Sequence, residues 1–281
     1  ILMSEFNLLN YNTLEPRILD AANFGVPQRR NRLIVIAYRK DVVPPKYPEP
    51  THSDNSKVTV AEAIGDLILD NTIKTKIQNG LSQYQIDSIR GRTPNINGCP
   101  INSNGMIFNN ELPNHSPLIK ERFSLYQEGE DTETLRTRIL AEGIDLSEKP
   151  ILLQYCADIL NKDKDEVIHI FKKPNNDINL INVLLTKKGI RTRLDSNKPS
   201  PTVVTIADDY ISPFENRTFT VREMARLQSF DDSFVFLGKR TTGGIRRRIE
   251  VPQYSQVGNA VPPLLAKAIA TKIKQALEDG Q

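Results

Sequence analysis

Gln28, Arg29, Arg30, Asn31 and Arg32 follow closely after Gly25 and put three guanidinium groups within five positions. An arginine stays charged at any working pH and can stabilise negative charge as it builds on a ring or a phosphate. Two more cationic groups follow: Arg191 with Arg193, then Lys239 and Arg240 with Arg246, Arg247 and Arg248. The three groups could converge on one phosphate-lined surface, and each reads equally well as a solvated loop. Thr241-Thr242-Gly243-Gly244 stands before the last group, where paired glycines either let backbone approach a ligand closely or form a plain surface loop. Gly258-Asn259 offers a second tight backbone approach. Cys99 and Cys156 lie far apart with no metal-ligand neighbour, so neither a disulfide framework nor a metal site follows.

These side chains need elements to hold them. Residues 16–39 read as a β-hairpin: an extended run at 17–21, turn chemistry at Asn23-Phe24-Gly25, and a β-branched run at 32–38 that should be well buried. Pro44, Pro45, Pro48 and Pro50 exclude helix interior and central strand, and mark a boundary. Thr59 and Glu62 form a capping-box pattern for a short helix over 58–69. Residues 80–115, rich in Asn, Gly, Ser and Pro, read as loop. Helices are expected over 116–142 and 151–160, a solvated charged turn at 162–166, and a strand at 181–186 closed by a Lys188-Gly189 turn. Thr220 and Glu223 set another capping box, for a helix through Met224 and Leu227. The closing helix is expected to start at Asn259, with Pro262 and Pro263 in its first turn. Its buried face would carry Leu264, Leu265, Ala268, Ile269, Ile273 and Leu277.

A length of 281 residues with 38% hydrophobic content allows one large or two small domains around a real core. A net charge of +3 does not by itself demand a polyanionic partner. No apolar run reaches the roughly 18–20 residues that cross a bilayer. The first ten residues carry neither the basic flank nor the small-residue cleavage site of a leader, so the chain is read as cytoplasmic, with no membrane partner.

Three stretches then stand out in order around a long insert. They are Phe24-Gly25-Val26-Pro27-Gln28-Arg29-Arg30-Asn31-Arg32 with Leu33-Ile34-Val35-Ile36-Ala37; Arg193-Leu194 through Pro199-Ser200-Pro201-Thr202 to Arg222-Glu223-Met224-Ala225-Arg226-Leu227-Gln228; and Gln253-Tyr254-Ser255-Gln256-Val257-Gly258-Asn259-Ala260-Val261-Pro262-Pro263. Together they resemble the eighth, ninth and tenth motifs of the bacterial DNA (cytosine-5) methyltransferase family. The likeness covers residues 1–40 and about 185–281, and the insert matches only in being variable.

The resemblance implies an α/β fold: the carboxy-terminal part of a Rossmann-like, S-adenosylmethionine-dependent catalytic domain, plus a mixed α+β target recognition domain. Residues 1–44 would end the catalytic domain and 45–240 would be the recognition domain, ninth motif included. Residues 241–281 would return to the catalytic domain. It implies transfer of a methyl group from S-adenosylmethionine to C5 of a cytosine flipped out of double-stranded DNA, in a restriction-modification system. By likeness, Arg30 and Arg32 are the catalytic residues at the flipped base, with Arg32 on the cytosine O2. Asn259, Ala260 and Val261 would touch the cofactor, helped by free amides at the start of the closing helix. Gln28, Arg29, Arg193, Arg240, Arg246 and Arg247 are the candidates for DNA contact, although Gln28 reads first as a hold on the hairpin and Arg193 as scaffold.

The family's Pro-Cys-Gln nucleophile segment, its Glu-Asn-Val segment and its glycine-rich cofactor loop have no counterpart in these 281 residues. Cys99 sits in Gly98-Cys99-Pro100 and Cys156 follows Tyr155 in an expected helix, so both read as ordinary cysteines. The chain alone is therefore expected to be inactive. Its expected partner is the amino-terminal half of the methyltransferase, in the same longer chain or as a separate subunit. A competing expectation is a non-catalytic DNA-binding specificity or regulatory module derived from a methyltransferase.

Overall fold

The computed structural model describes every residue except 1, 78, 175, 176, 187–190, 243–245, 247, 248 and 281. In chain order its amino-terminal elements are α1 (Leu2–Leu8), β1 (Tyr11–Thr13), β2 (Arg17–Asp20), β3 (Asn31–Ile34), β4 (Ala37–Arg39), α2 (Val60–Ile64), α3 (Asn71–Ile77) and α4 (Gln83–Arg90). There follow α5 (Pro117–Phe123), α6 (Thr132–Glu142), α7 (Pro150–Leu160), α8 (Lys164–Phe171), α9 (Ile178–Leu184), β5 (Thr192–Arg193) and β6 (Tyr210–Ile211). The last are α10 (Val221–Leu227), α11 (Gln253–Asn259) and α12 (Pro263–Glu278).

The chain divides into two compact units. Unit 1 holds Ile1–Asn110, Asn197–Thr205 and Val221–Gln281; unit 2 holds Glu111–Ser196 and Ile206–Thr220. These bounds differ from the expected divisions at 44/45 and 240/241, because residues 45–110 fold with the hairpin. The reason is a buried charge cluster. Arg226 of α10, fully buried, donates to Asp232 at 2.6 Å twice, to both carboxylate oxygens of Asp66 at 3.0 Å, and to the Ala63 carbonyl of α2 at 3.0 Å. A buried cation this well partnered fixes α2 against α10, since separating them would strand charge in a dry interior.

In unit 1 the hairpin forms as expected, with β2 antiparallel to β3 and Ile18 directly opposite Leu33. Asp20 shapes its turn: its Oδ1 accepts from the Ala22 N–H at 3.1 Å and the Arg30 N–H at 2.9 Å, and Gly25 completes the turn at φ 79°. Ala21, Phe24 and Val26 form a small core with Leu265 of α12, flanked by Leu264, Ala268 and Ile269. Two expectations fail here. The run 32–38 is two strands, and β4 turns away to pair with β1. It is also not well buried: Leu33 is 65% exposed and its cross-strand neighbour Ile18 is 69% exposed, because the two-stranded ribbon is covered on one face only. The α12 face is covered through Ile269 but leaves Leu277 exposed.

Two further elements depart from the sequence reading. The region read as loop contains α4, started by a capping box between Ser82 and Gln85. Asn259 does not open the closing helix but ends α11, and α12 begins at Pro263.

Unit 2 is mainly helical around Phe123, Leu135, Ile139, Leu152, Phe171 and Ile181. The expected strand at 181–186 is instead α9. Asp177 accepts from the Asn179 and Leu180 N–H groups and so caps a helix, and Ile181 and Leu184 are buried three positions apart. The expected helix over 116–142 is broken into α5 and α6 around Gly129 at φ 82°. Asp163 caps α8 from within the charged run. The Lys188-Gly189 turn lies outside the described residues. Among the described residues no helix is long and apolar enough to cross a membrane.

Candidate functional site

Within unit 1 the three motif-bearing stretches meet at three side chains. Arg30 is buried; its Nη1 donates to the Val203 carbonyl at 3.1 Å, and its Nη2 donates to the carbonyls of Gly258 at 2.9 Å and Ala260 at 3.4 Å. Gln28 is fully buried; its Oε1 accepts from the Val203 N–H at 2.8 Å and its amide donates to Leu227 O at 3.2 Å and to Gln228 Oε1. Gln228, also fully buried, donates to the carbonyls of Val257 at 3.0 Å and Ala260 at 2.8 Å. Backbone bonds reinforce the join, from Arg29 N–H to Ser200 O at 2.8 Å and from Ser200 N–H to Pro27 O at 3.0 Å.

This geometry revises two expectations. Gln28 has no surface to offer DNA, because its amide is enclosed and spent on neighbouring backbone. Arg30, expected at the flipped base, is committed to three carbonyls and holds segments together. Burial and the adjacent Arg32 charge lower its pKa to about 10, which leaves it charged and a full donor near neutrality.

Arg32 differs. It lies half-buried on β3, two positions beyond Arg30, and the one hydrogen bond of its side chain among the described residues runs from Nη1 to the neighbouring Asn31 carbonyl at 2.7 Å. Most of its donor fork is therefore available to a ligand. Arg29, between Gln28 and Arg30, is exposed.

The segment 259–261 leaves Arg30 on its other side. Asn259 is exposed, its carboxamide makes no hydrogen bond among the described residues, and Val261 is 57% exposed. A free carboxamide beside an apolar side chain is the kind of donor and face that an adenine ring takes, and S-adenosylmethionine, when bound, would supply an electrophilic methyl group. The start of α12 offers few of the expected amides. Pro262 and Pro263 have no N–H, and the Leu264 N–H is bonded to Ser229 Oγ at 3.1 Å. Ser229 reaches it from a left-handed backbone at φ 69°. Gly258 does permit a close approach, but to the chain itself: a Cβ there would lie 2.7 Å from the Val204 carbonyl carbon.

The remaining cations scatter. Arg193 is buried in unit 2, donating to Ser212 O at 3.0 Å, Phe123 O at 2.8 Å and Asn216 Oδ1 at 2.6 Å, so it is scaffold and not a DNA contact. Arg240 is half-buried and Arg246 exposed, while Arg247 and the paired glycines lie outside the described residues. An apolar cavity of about 200 Å³ opens between β4 and the far end of α12, and none of the expected site residues lines it. Gln228 and Ser229 were not singled out as site residues by the sequence reading. The signal for Gln228 was its place in the quoted ninth-motif stretch; nothing in the sequence marks Ser229.

Comparison with known proteins fits this arrangement. The chain is 31% identical over 272 residues to "Type II methyltransferase M1.HphI" of Haemophilus parahaemolyticus, covering 96% of this chain and 50% of that protein. It is 48% identical over 89 residues to "Type II methyltransferase M.AquIB" of a Picosynechococcus strain, covering 31% of this chain and 64% of that protein. A solved structure assigned as a prophage-encoded DNA modification methyltransferase from E. coli shares the fold at a TM-score of 0.54 and 20% identity, over 98% of this chain and 64% of that one. The chain thus spans about half the length of the curated relatives that it matches over most of its residues. The profile of C-5 cytosine-specific DNA methylases matches residues 1–275, insert included, which extends the likeness beyond the two flanking stretches. The chain belongs to the C-5 cytosine-specific DNA methylase family.

Proposed function

We propose that this chain supplies the base-facing and cofactor-facing walls of a type II DNA (cytosine-5) methyltransferase. In that role Arg32 hydrogen-bonds the flipped cytosine, and Asn259 and Val261 touch S-adenosylmethionine. Arg29, Arg240, Arg246 and Arg247 approach the phosphates of double-stranded DNA, and the insert from about 45 to 185 reads the target. The observation that carries this reading is Arg30, whose guanidinium ties the Arg32 strand directly to the carbonyls of Gly258 and Ala260. A charged donor for an extruded base and a free carboxamide for a cofactor then flank a single buried connector.

The nucleophile of the reaction is not assigned to either cysteine. Cys156 is fully buried in the unit 2 core, where burial pushes its thiol up to about 11, the opposite of activation. Cys99 is exposed, on a loop where its thiol donates to the Asn97 carbonyl. The proposal therefore assigns the attacking thiol to an amino-terminal methylase segment, joined to this chain or separate. The exposed Ile18–Leu33 pair gives such a segment an apolar strand face to cover.

The test is methyl transfer from radiolabelled S-adenosylmethionine to duplex DNA, with a cysteine-bearing methylase segment supplied. Activity that falls about a hundredfold or more in Arg32→Ala supports the assignment. Full activity in Arg32→Ala removes Arg32 from the site.

A further inference from the structure

We infer that Gln228, together with Arg30, is a positioning residue that fixes which side of the Ala260–Val261 peptide faces the ligand; its relevance to the cofactor rests on the reading above. The Ala260 carbonyl is held from within by two donors, Gln228 Nε2 at 2.8 Å and Arg30 Nη2 at 3.4 Å. The same two side chains hold the carbonyls of Val257 and Gly258. A trans peptide is planar, with its C=O and N–H pointing in opposite directions, and no cis peptide bond occurs among the described residues. Drawing the Ala260 oxygen into the protein therefore turns the Val261 N–H outward.

That N–H has no acceptor among the described residues, and it follows the unbonded Asn259 carboxamide and precedes the exposed Val261 side chain. Gln28 sets the clamp in turn. Its amide donates to Gln228 Oε1, which orients the Gln228 carboxamide so that its own NH₂ faces Val257 and Ala260. One donor rotation at Gln28 thereby settles the presentation of a backbone donor some thirty positions beyond Gln228 in sequence.

Gln228→Met tests this, because it keeps side-chain length and removes both donors. Hydrogen exchange of the chain is read at the amide of Ala260, which bonds Val257 O at 3.2 Å. The expected result is exchange about tenfold faster at 257–260, with β2, β3 and the middle of α12 unchanged. Unchanged exchange at Ala260 overturns the proposal, and so does a rise spread evenly through unit 1, which would make Gln228 merely structural. Arg30→Lys is the second variant: it keeps the charge, loses the forked reach, and is expected to loosen the same amides to a smaller extent. If the lysine variant loosens β2 and β3 instead, the shared clamp is wrong. With the cysteine-bearing segment supplied, Gln228→Met should raise KM for S-adenosylmethionine about tenfold with kcat nearly unchanged. An unchanged KM overturns the positioning role at the cofactor. Local loosening in Gln228→Met, alongside a wild-type assembly that binds no S-adenosylmethionine, upholds the clamp and sinks the reading of 259–261 as the cofactor wall.

Discussion

The junction in unit 1 and the core of unit 2 are held by different forces. Around Gln28, Arg30, Arg226 and Gln228 almost every close contact is a side-chain donor on a carbonyl or carboxylate. Around Leu135, Leu152, Phe171 and Ile181 the side chains form an apolar cluster. Burial of apolar surface depends on volume and tolerates a change of shape, whereas a buried polar junction depends on each donor having its acceptor. The region that must hold a ligand-facing loop in one orientation is the one built by counting donors.

The largest expected effect breaks the junction. Arg226→Ala leaves the Asp66 carboxylate without its ion-pair partner and Asp232 with only Arg222, 3.9 Å away, and should destabilise unit 1 by about 3–5 kcal/mol, read from urea unfolding. Asp66→Asn with Asp232→Asn in the same background should recover part of that loss; no recovery would mean that Arg226 acts by packing. In unit 2, Leu152→Ala should cost about 2–5 kcal/mol while Leu152→Met costs under about 1.5 kcal/mol. Equal costs for the two would show that this core is not governed by volume. Asp20→Ala removes the acceptor shared by the Ala22 and Arg30 amides and should lower stability by about 1 kcal/mol, with the loss confined to hairpin exchange rates.

The smallest effect is a pH dependence in unit 2. His115 packs edge-on to Phe123 and shares a hydrogen bond with Thr218, and burial together with the Arg191 charge lowers its pKa. Its neutral form is favoured in the folded state, so the unfolded chain binds the proton more readily. The contribution is present above the ordinary histidine range, about 6.5, and is lost as pH falls through the lowered value. The urea midpoint of unit 2 should therefore drop between pH 7 and pH 5, by less in His115→Gln. Because the ring is half-exposed the change is small; a midpoint that rises on acidification would contradict the sign.

The hairpin, the α2 cap and α10 were legible in the sequence because each is set by residues close together: Asp20 and Gly25, Thr59 and Glu62, the apolar spacing after Thr220. What sequence could not show depended on distant partners. Arg30 and Arg32 are alike in type and two positions apart, yet one is spent on carbonyls at 203, 258 and 260 and the other is open. No local pattern distinguishes them. The period at 181–186 suited a strand until the Asp177 cap and the burial of Ile181 with Leu184 made it a helix. At 259–263 the two prolines suggested a helix start one turn early, and the break that allows Arg30 to reach the Gly258 and Ala260 carbonyls was hidden by it.

The most direct test places a nitroxide at position 32 and follows the side-chain amide of Asn259 and the backbone amide of Val261 by NMR. Strong paramagnetic broadening of both, reduced when Arg30→Ala is added, is the expected result. Sharp, unaffected signals at 259 and 261 beside broadened ones at 18 and 33 would show that the two walls do not adjoin, and the account of the site would fail.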